Sequence, residues 1–277
     1  LKDCLDSIKK YNDIGDALEV IVSDNSPTYD LVNRIHAEYS WVTIIKNENI
    51  GFGAGNNRGA EISKGDYLLF LNPDTVLIEP IFQFAIDKFY EDSDLGLFGV
   101  QLVSRNLKKT YSFFMMDREG IFSLLQSRWH YFFNTFSSDK MFISGADLFV
   151  RRTSFEEAGM FDENIFMYKE EPDLTKRIKS GSKSNKICYF KEKKIVHLEG
   201  GTDVKDESYK IKFAKRLVET DKYYCHKYGL QLQGVLKQKL RRSRFKIIIL
   251  TLFFRRHRAR IEKEVYHVYK EALINSR

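Results

Sequence analysis

Four clusters of polar side chains in this 277-residue chain have the types and spacing that bond-making chemistry needs. Asn72-Pro73-Asp74 closes the apolar run Asp66–Leu71, which places a carboxylate at the end of an expected strand. Mg2+ and Mn2+ prefer such hard oxygen donors and are commonly held by one or two carboxylates plus substrate phosphates. An Asp after Pro is also an ordinary turn or capping residue. The run from Asn49 through Gly51, Gly53, Gly55, Asn56 and Asn57 to Gly59 brings main chain close to a neighbour or turns sharply. A glycine-rich lead into a helix suits phosphate, and a purely structural tight turn is the alternative. The run lacks the Gly-Lys-Ser/Thr ending of a P-loop and the glycine spacing of a dinucleotide fingerprint.

Glu170-Glu171-Pro172-Asp173 crowds three carboxylates at an expected helix start, behind the apolar wall Phe166-Met167-Tyr168. Acids and Pro are favoured in a first turn, so capping explains them in part. Burial and like-charge crowding would also raise one of their pKa values, as a general base requires. His197 follows Ile195-Val196 and precedes Gly200-Gly201-Thr202. It is a metal or phosphate candidate, with a structural histidine as the alternative.

The elements that must position these groups follow from apolar periodicity. The chain opens on helix spacing, with apolar residues at 1, 4, 5 and 8. Strands are expected over 18–22, 41–45, 66–71, 95–103 and 141–150, with a strand or hairpin over 186–197. Helices are expected over 29–39, into 59, and over 80–90, 152–158, 170–180, 207–228 and 234–273. Strands alternating with helices predict an α/β fold with a mostly parallel central sheet covered on both faces. Ligands of such sheets lie outside the strands' carboxyl ends, so the loops 23–27, 47–57 and 72–75 should line one crevice. The aromatic-rich stretch 104–139 reads as a binding loop or lid, or as helices packed on the sheet.

A composition of 43% hydrophobic and 30% charged residues excludes a disordered chain. The net charge of +7 is local: ten Lys/Arg and no acid lie between Lys237 and Arg260. Without those ten, 35 basic residues face 38 acidic ones, which excludes a nucleic-acid binder basic throughout. The apolar run Ile247–Phe254 inside the basic segment falls far short of the ~18 residues of a membrane span. A domain over 1–230 and a basic amphipathic helical tail over 231–277 are therefore expected. The tail is expected to lie on an anionic membrane surface; packing on the domain or on a second subunit is the alternative. Cys4, Cys188 and Cys225 have no metal spacing and read as thiols of a reducing compartment. No signal-peptide pattern opens the chain.

The ordered series Val22-Ser23-Asp24-Asn25-Ser26, Asn47 to Gly59, Tyr67 to Asp74, Gly145-Ala146-Asp147 to Arg152, Phe161-Asp162-Glu163, Tyr168 to Leu174, then His197 closely resembles the family 2 inverting glycosyltransferases. The nearest branch looks like the rhamnosyltransferase-like enzymes of bacterial surface polysaccharide synthesis, and the likeness covers about residues 1–228. The resemblance implies a GT-A fold and transfer of a sugar, with rhamnose as the candidate the branch offers, from a nucleotide-diphosphate donor to a glycan or lipid-linked acceptor. It implies Asp24 at the nucleotide base, and Asn49, Gly51, Asn56, Asn72, Gly145 and Ala146 along the nucleotide sugar. Asp74, with His197, would hold Mg2+ or Mn2+. Glu171 would be the base, flanked by Glu170 and Asp173. Glu171 stands where the family has Asp, and Asn72 where it has the first Asp of an Asp-x-Asp motif. The family opens with a strand of the apolar-apolar-apolar-Thr-Tyr-Asn type, whereas this sequence begins on the helix after it, so a fold lacking its first strand is expected. A nucleotidyltransferase making the activated sugar, and an inactive membrane-tethered scaffold, are the competing functions. The expected location is the cytoplasmic face of a membrane, with no nucleic-acid partner and with a homo-oligomer possible.

Overall fold

The computed structural model describes residues 1–116, 120–181, 183–198 and 207–276, and the side chains of all of these except 120–124 and 207–208. It divides into two compact units, one of Leu1–Glu163 with Glu170–Gly201 and one of Asn164–Lys169 with Thr202–Arg277.

The first unit begins with α1 (Lys2–Lys10), β1 (Ile21–Asp24), α2 (Asp30–Glu38), β2 (Thr43–Lys46), α3 (Phe52–Ile62) and β3 (Tyr67–Leu71). It continues through β4 (Thr75–Leu77), α4 (Phe82–Glu91), β5 (Leu95–Val103), β6 (Phe113–Met115), α5 (Gly120–Phe133) and β7 (Met141–Ile143). It ends with β8 (Asp147–Arg151), α6 (Arg152–Glu157), α7 (Glu170–Lys179) and β9 (Lys186–His197). β5, β8 and β9 form the middle of a five-stranded sheet of order β3-β8-β5-β9-β4. β1 and β2 pair in parallel as a separate sheet, and β6 pairs with β7.

The sheet is mixed, not mostly parallel. β8 runs antiparallel to both β3 and β5, and β4 antiparallel to β9; only β5 and β9 run together. The tight turn Asn72–Thr75 reverses the chain between β3 and β4, with Thr75 N–H donating to Asn72 O at 3.1 Å. Pro73 presets the turn's second position. The single strand expected over 141–150 is two, because Ser144–Ala146 turn between β7 and β8, with Ser144 N–H donating to Ser112 O.

Both faces of this sheet are covered. Phe98, Val100, Leu102, Phe149 and Ile195 face a core with α1, α2 and α4. Leu97, Leu148, Val150, Leu68 and Phe70 face a second core with α6 and α7. Adjacent residues alternate between the two, as the strand period of two requires. β5 is buried along its whole length. α1 buries Cys4, Leu5, Ser7 and Ile8, the face its periodicity marks.

The second unit contains α8 (Glu207–Lys227), α9 (Leu232–Leu252) and α10 (Arg256–Ile274). The expected single helix over 234–273 is a hairpin: the chain reverses at Phe253–Arg255, where Phe254 takes a left-handed φ of 54°. Ala214 and Val218 of α8 pack with Leu236 of α9 and with Tyr269 and Ala272 of α10. Lys239 bonds the buried Asp221, and Lys246 and Ser243 both hold Glu262, at 2.6 and 2.9 Å. α8 thus groups with the tail helices, ahead of the boundary expected at residue 230.

Phe98 has no exposed surface, stacks on Phe149 at 4.6 Å and meets Phe89 and Phe190 at 5.1 Å. Phe98→Ala is expected to destabilise the first unit by about 3–5 kcal/mol, read as a lowered urea midpoint. A loss below about 1 kcal/mol would show that the sheet does not centre on this ring.

Candidate active site

Strand register gathers the candidate residues. Leu71 lies opposite Asp147, Thr75 opposite His197 and Val103 beside Val196. The turn after β3, the turn before β8 and the end of β9 therefore share one edge of the sheet.

Asp74 and His197 meet there, with His197 Nε2 3.3 Å from Asp74 Oδ1. Leu198 N–H donates to Asp74 O at 3.0 Å, which fixes the two strands beside each other. Gly200, Gly201 and Thr202, noted after His197, lie outside the described residues. Among the described residues no group of three or more His, Cys, Asp or Glu side chains is placed to hold a metal. A carboxylate oxygen and an imidazole nitrogen side by side nonetheless fit a divalent cation whose remaining ligands are phosphate oxygens and water.

The next residues along the edge connect through main chain. Asn72 N–H donates to Ala146 O at 3.1 Å, and Gly145 N–H donates to Glu171 Oε1 at 3.2 Å. A Cβ on Gly145 would collide with the Glu171 carboxylate, so only glycine allows this approach. Glu171 is half-buried in the first turn of α7.

Its two acidic neighbours stand differently. Asp173 is fully buried; its Oδ2 accepts from Arg177 Nε one turn on at 2.8 Å and pairs with the Nη2 of the same guanidinium at 2.6 Å. That pair lies buried within α7, and the same guanidinium bonds Ala158 O outside the helix, so Asp173 sits behind the edge. Glu170 is also buried, beneath Gly53 of α3.

The glycine run is the start of α3. Gly51 caps the helix with φ 136°, a value side chains avoid. A Cβ on Gly53 would stand 2.8 Å from Phe161 Cβ, and one on Gly55 would strike the Asn25 amide. Close helix packing accounts for both glycines. Asn49 is exposed just before this helix, and Asn56 turns its amide back to Phe52 O at 3.0 Å.

Asp24 is buried, and its oxygens accept from Ser26 N–H at 2.9 Å, Ser26 Oγ at 3.0 Å and Lys46 Nζ at 3.1 Å. Burial pushes its pKa up, but the Ser26 and Lys46 bonds outweigh burial and leave it below the ordinary carboxylate value. Asp24 thus shapes the end of β1 through partners within the chain.

Three positions escaped the sequence reading as site residues. Asn57 bonds the main chain of Phe161 in both directions, at 2.9 and 3.0 Å, and reaches Glu163 at 3.1 Å. Asn47 joins Ser23 Oγ at 2.7 Å to Asn25 Oδ1 at 3.3 Å. Asp147 is fully buried; its Oδ2 accepts from Val100 N–H at 2.8 Å, while Oδ1 has no hydrogen-bond partner among the described residues. Asn57 and Asn47 were visible as amides inside a polar run. Asp147 was masked by its apolar neighbours.

The sequence model of Glycosyl transferase family 2 matches residues 1–157. The chain belongs to this family. Rhamnosyltransferase WbbL of Escherichia coli strain K12 is 28% identical over 174 residues, which are 58% of this chain and 66% of that relative. The chain therefore spans slightly less than two thirds of that relative's length. Among solved structures, the mannosyltransferase PcManGT of Pyrobaculum calidifontis, in complex with GDP-Man and Mn2+, superposes with a TM-score of 0.56 at 16% identity, over 81% of this chain and 60% of that one. GalNAc-T7 with UDP, GalNAc and Mn2+ superposes with a TM-score of 0.53 at 14% identity, over 78% of this chain and 47% of that one. At such identities these likenesses establish the fold, which is the GT-A glycosyltransferase fold.

Burial holds the Asp147 pKa well above the ordinary carboxylate value, against the opposing pull of the Val100 N–H bond. A group raised on folding contributes full stability below its unfolded pKa and loses it as pH rises toward its folded pKa. Stability should therefore decline from mildly acidic pH upward, and Asp147→Asn should flatten that decline. Urea midpoints of both chains across the pH range check this. An unchanged slope in Asp147→Asn would place the titration elsewhere.

Proposed function

We propose that this chain is an inverting glycosyltransferase that moves a sugar of the rhamnose class from a nucleotide-diphosphate donor to a hydroxyl of a glycan or lipid-linked acceptor. The observation that carries the reading is the Glu171 carboxylate held by Gly145 N–H on the sheet edge that also bears the Asp74–His197 pair. Family membership and the likeness to a rhamnosyltransferase support the transferase class and the sugar. They also weigh against nucleotidyl transfer and a scaffold role.

Inverting transfer is a single displacement. The acceptor oxygen bonds to the anomeric carbon as the bond to the diphosphate oxygen breaks, and that electron pair leaves with the diphosphate. The acceptor hydroxyl must lose its proton in the same event. Glu171 is the half-buried acid of its cluster and takes that proton on its carboxylate. Gly145 fixes the carboxylate's direction, and Ala146 ties it through Asn72 to the turn bearing Asp74. Asp74 and His197 are the residues that would hold Mg2+ or Mn2+. When bound, the ion neutralises charge on the departing diphosphate. Asn49, Gly51 and Asn56, at the start of α3, together with the Asp24–Lys46 pair, would bound the nucleotide side.

Glu171→Gln keeps the shape and removes the base, so turnover should fall about 10²- to 10⁴-fold with donor binding nearly unchanged. Single-turnover rates and calorimetric donor titration read the two separately. Full activity in Glu171→Gln alongside a dead Glu170→Gln would assign the base to Glu170. Transfer should also stop with a chelator, resume with Mn2+, and fail to resume in Asp74→Ala. Rescue of Asp74→Ala by Mn2+ at wild-type levels would remove Asp74 from the metal role.

A further inference from the structure

The tip of the α9–α10 hairpin carries an apolar surface that its own unit does not use. Phe245, Ile248, Ile249 and Leu252 recur at i, i+3, i+4 and i+7, the spacing of one helix face. All four are exposed, as are Phe253 and Phe254 in the turn, at 72% and 82%. The unit's core is made farther from the tip, by Leu236 and Leu240 against Val265, Val268 and Tyr269. A contiguous apolar face left in water marks a surface that something else covers.

Charge identifies the cover. From Arg241 to Arg260 there are eight Lys and Arg, all exposed, and no Asp or Glu. The cations precede the stripe on α9 and resume at once after the turn. A second copy would bring eight further cations against these, and that repulsion disfavours self-association. A neutral groove would bury the stripe and leave the cations without purpose. An anionic lipid surface uses both, because aromatic and aliphatic side chains enter the acyl boundary while Lys and Arg meet headgroups. Among the described residues no helix is long and apolar enough to cross a membrane.

We propose that the hairpin tip, Phe245–Arg260, docks the protein on an anionic phospholipid bilayer by shallow insertion of its apolar stripe and turn. The geometry replaces the expected single helix lying flat with a hairpin entering tip first. The proposal is independent of the sugar chemistry, so a Glu171→Gln chain should dock as the parent does.

The test is sedimentation of the full chain with phosphatidylcholine vesicles with and without phosphatidylglycerol. Docking is expected only on the anionic vesicles, weakening about tenfold or more at high salt. The pair Phe253→Ser with Phe254→Ser and the pair Arg255→Glu with Arg256→Glu should each abolish it, with thermal midpoints unchanged because these positions are exposed. Phe253→Trp gives a second readout, a blue shift of the added emission on anionic vesicles alone, which holds should a paired variant fail to fold. Equal sedimentation with neutral vesicles, or none with either, overturns the proposal. So does a dimer in solution that Phe253→Ser with Phe254→Ser converts to monomer, since a second copy would then cover the tip.

Discussion

Strand register is the constraint on which the candidate site depends. β8 lies between β3 and β5, and only the pairing of Leu71 with Asp147 brings the Ser144–Ala146 turn beside Asn72. Only the pairing of Thr75 with His197 brings the imidazole to Asp74. A slip of one residue would turn every side chain to the other face and part both contacts. Cores on both faces oppose such a slip, since each strand buries one set of residues on each side. Asp147 adds a polar pin. Its carboxylate takes the Val100 N–H beside the point where the β5–β9 ladder shifts between Val100 and Gln101.

A second constraint acts through α3. The β1–β2 pair is a sheet of its own, so no ladder joins it to the larger one. Side chains join them instead. Ser23 donates to Gly55 O on one side of α3, and on the other Asn57 exchanges two bonds with the main chain of Phe161. These contacts require α3 to lie close to both neighbours, which is why Gly53 and Gly55 have no room for a Cβ. The glycine run whose composition suggested phosphate thus serves first to pack α3 closely between the end of β1 and the Phe161 segment.

The parts of the fold legible in the sequence are those in which local pattern and burial coincide. β5 is apolar throughout and buried throughout. α1 shows its core face in four spaced positions, and α7 announces itself by acids and Pro in its first turn. Strand direction is not a local property. The antiparallel places of β4 and β8 were therefore invisible, and three-residue β4 was too short to show a period. The hairpin of α9 and α10 was hidden because Phe254 is an unusual residue at a left-handed φ, with no glycine or proline to mark the turn. At the site, the residue types of Asp74, Glu171 and His197 were readable from the residues themselves, and their meeting on one edge only through the family resemblance, since it is set by pairing over long range. The engagement of Asp24 with Lys46 across β1 and β2 escaped for the same reason.

The three acids at the start of α7 show how burial assigns chemistry that composition leaves open. A proton acceptor must reach its substrate and keep one oxygen oriented. Asp173 fails the first requirement, being wholly buried, with Arg177 closing on its Oδ2 by two guanidinium nitrogens. Removing that acid would strand a cation, so its contribution is to hold the helix. Glu170 fails the first as well, lying under α3. Glu171 alone of the three is half-buried, and its Oε1 accepts from the Gly145 main-chain N–H at a distance a side chain on that residue would disturb. Helix periodicity accounts for this division: Glu170 and Asp173, three positions apart, share the buried face, while Glu171, one and two positions from them, is turned away from it, so a first turn bearing three acids presents one to the sheet edge.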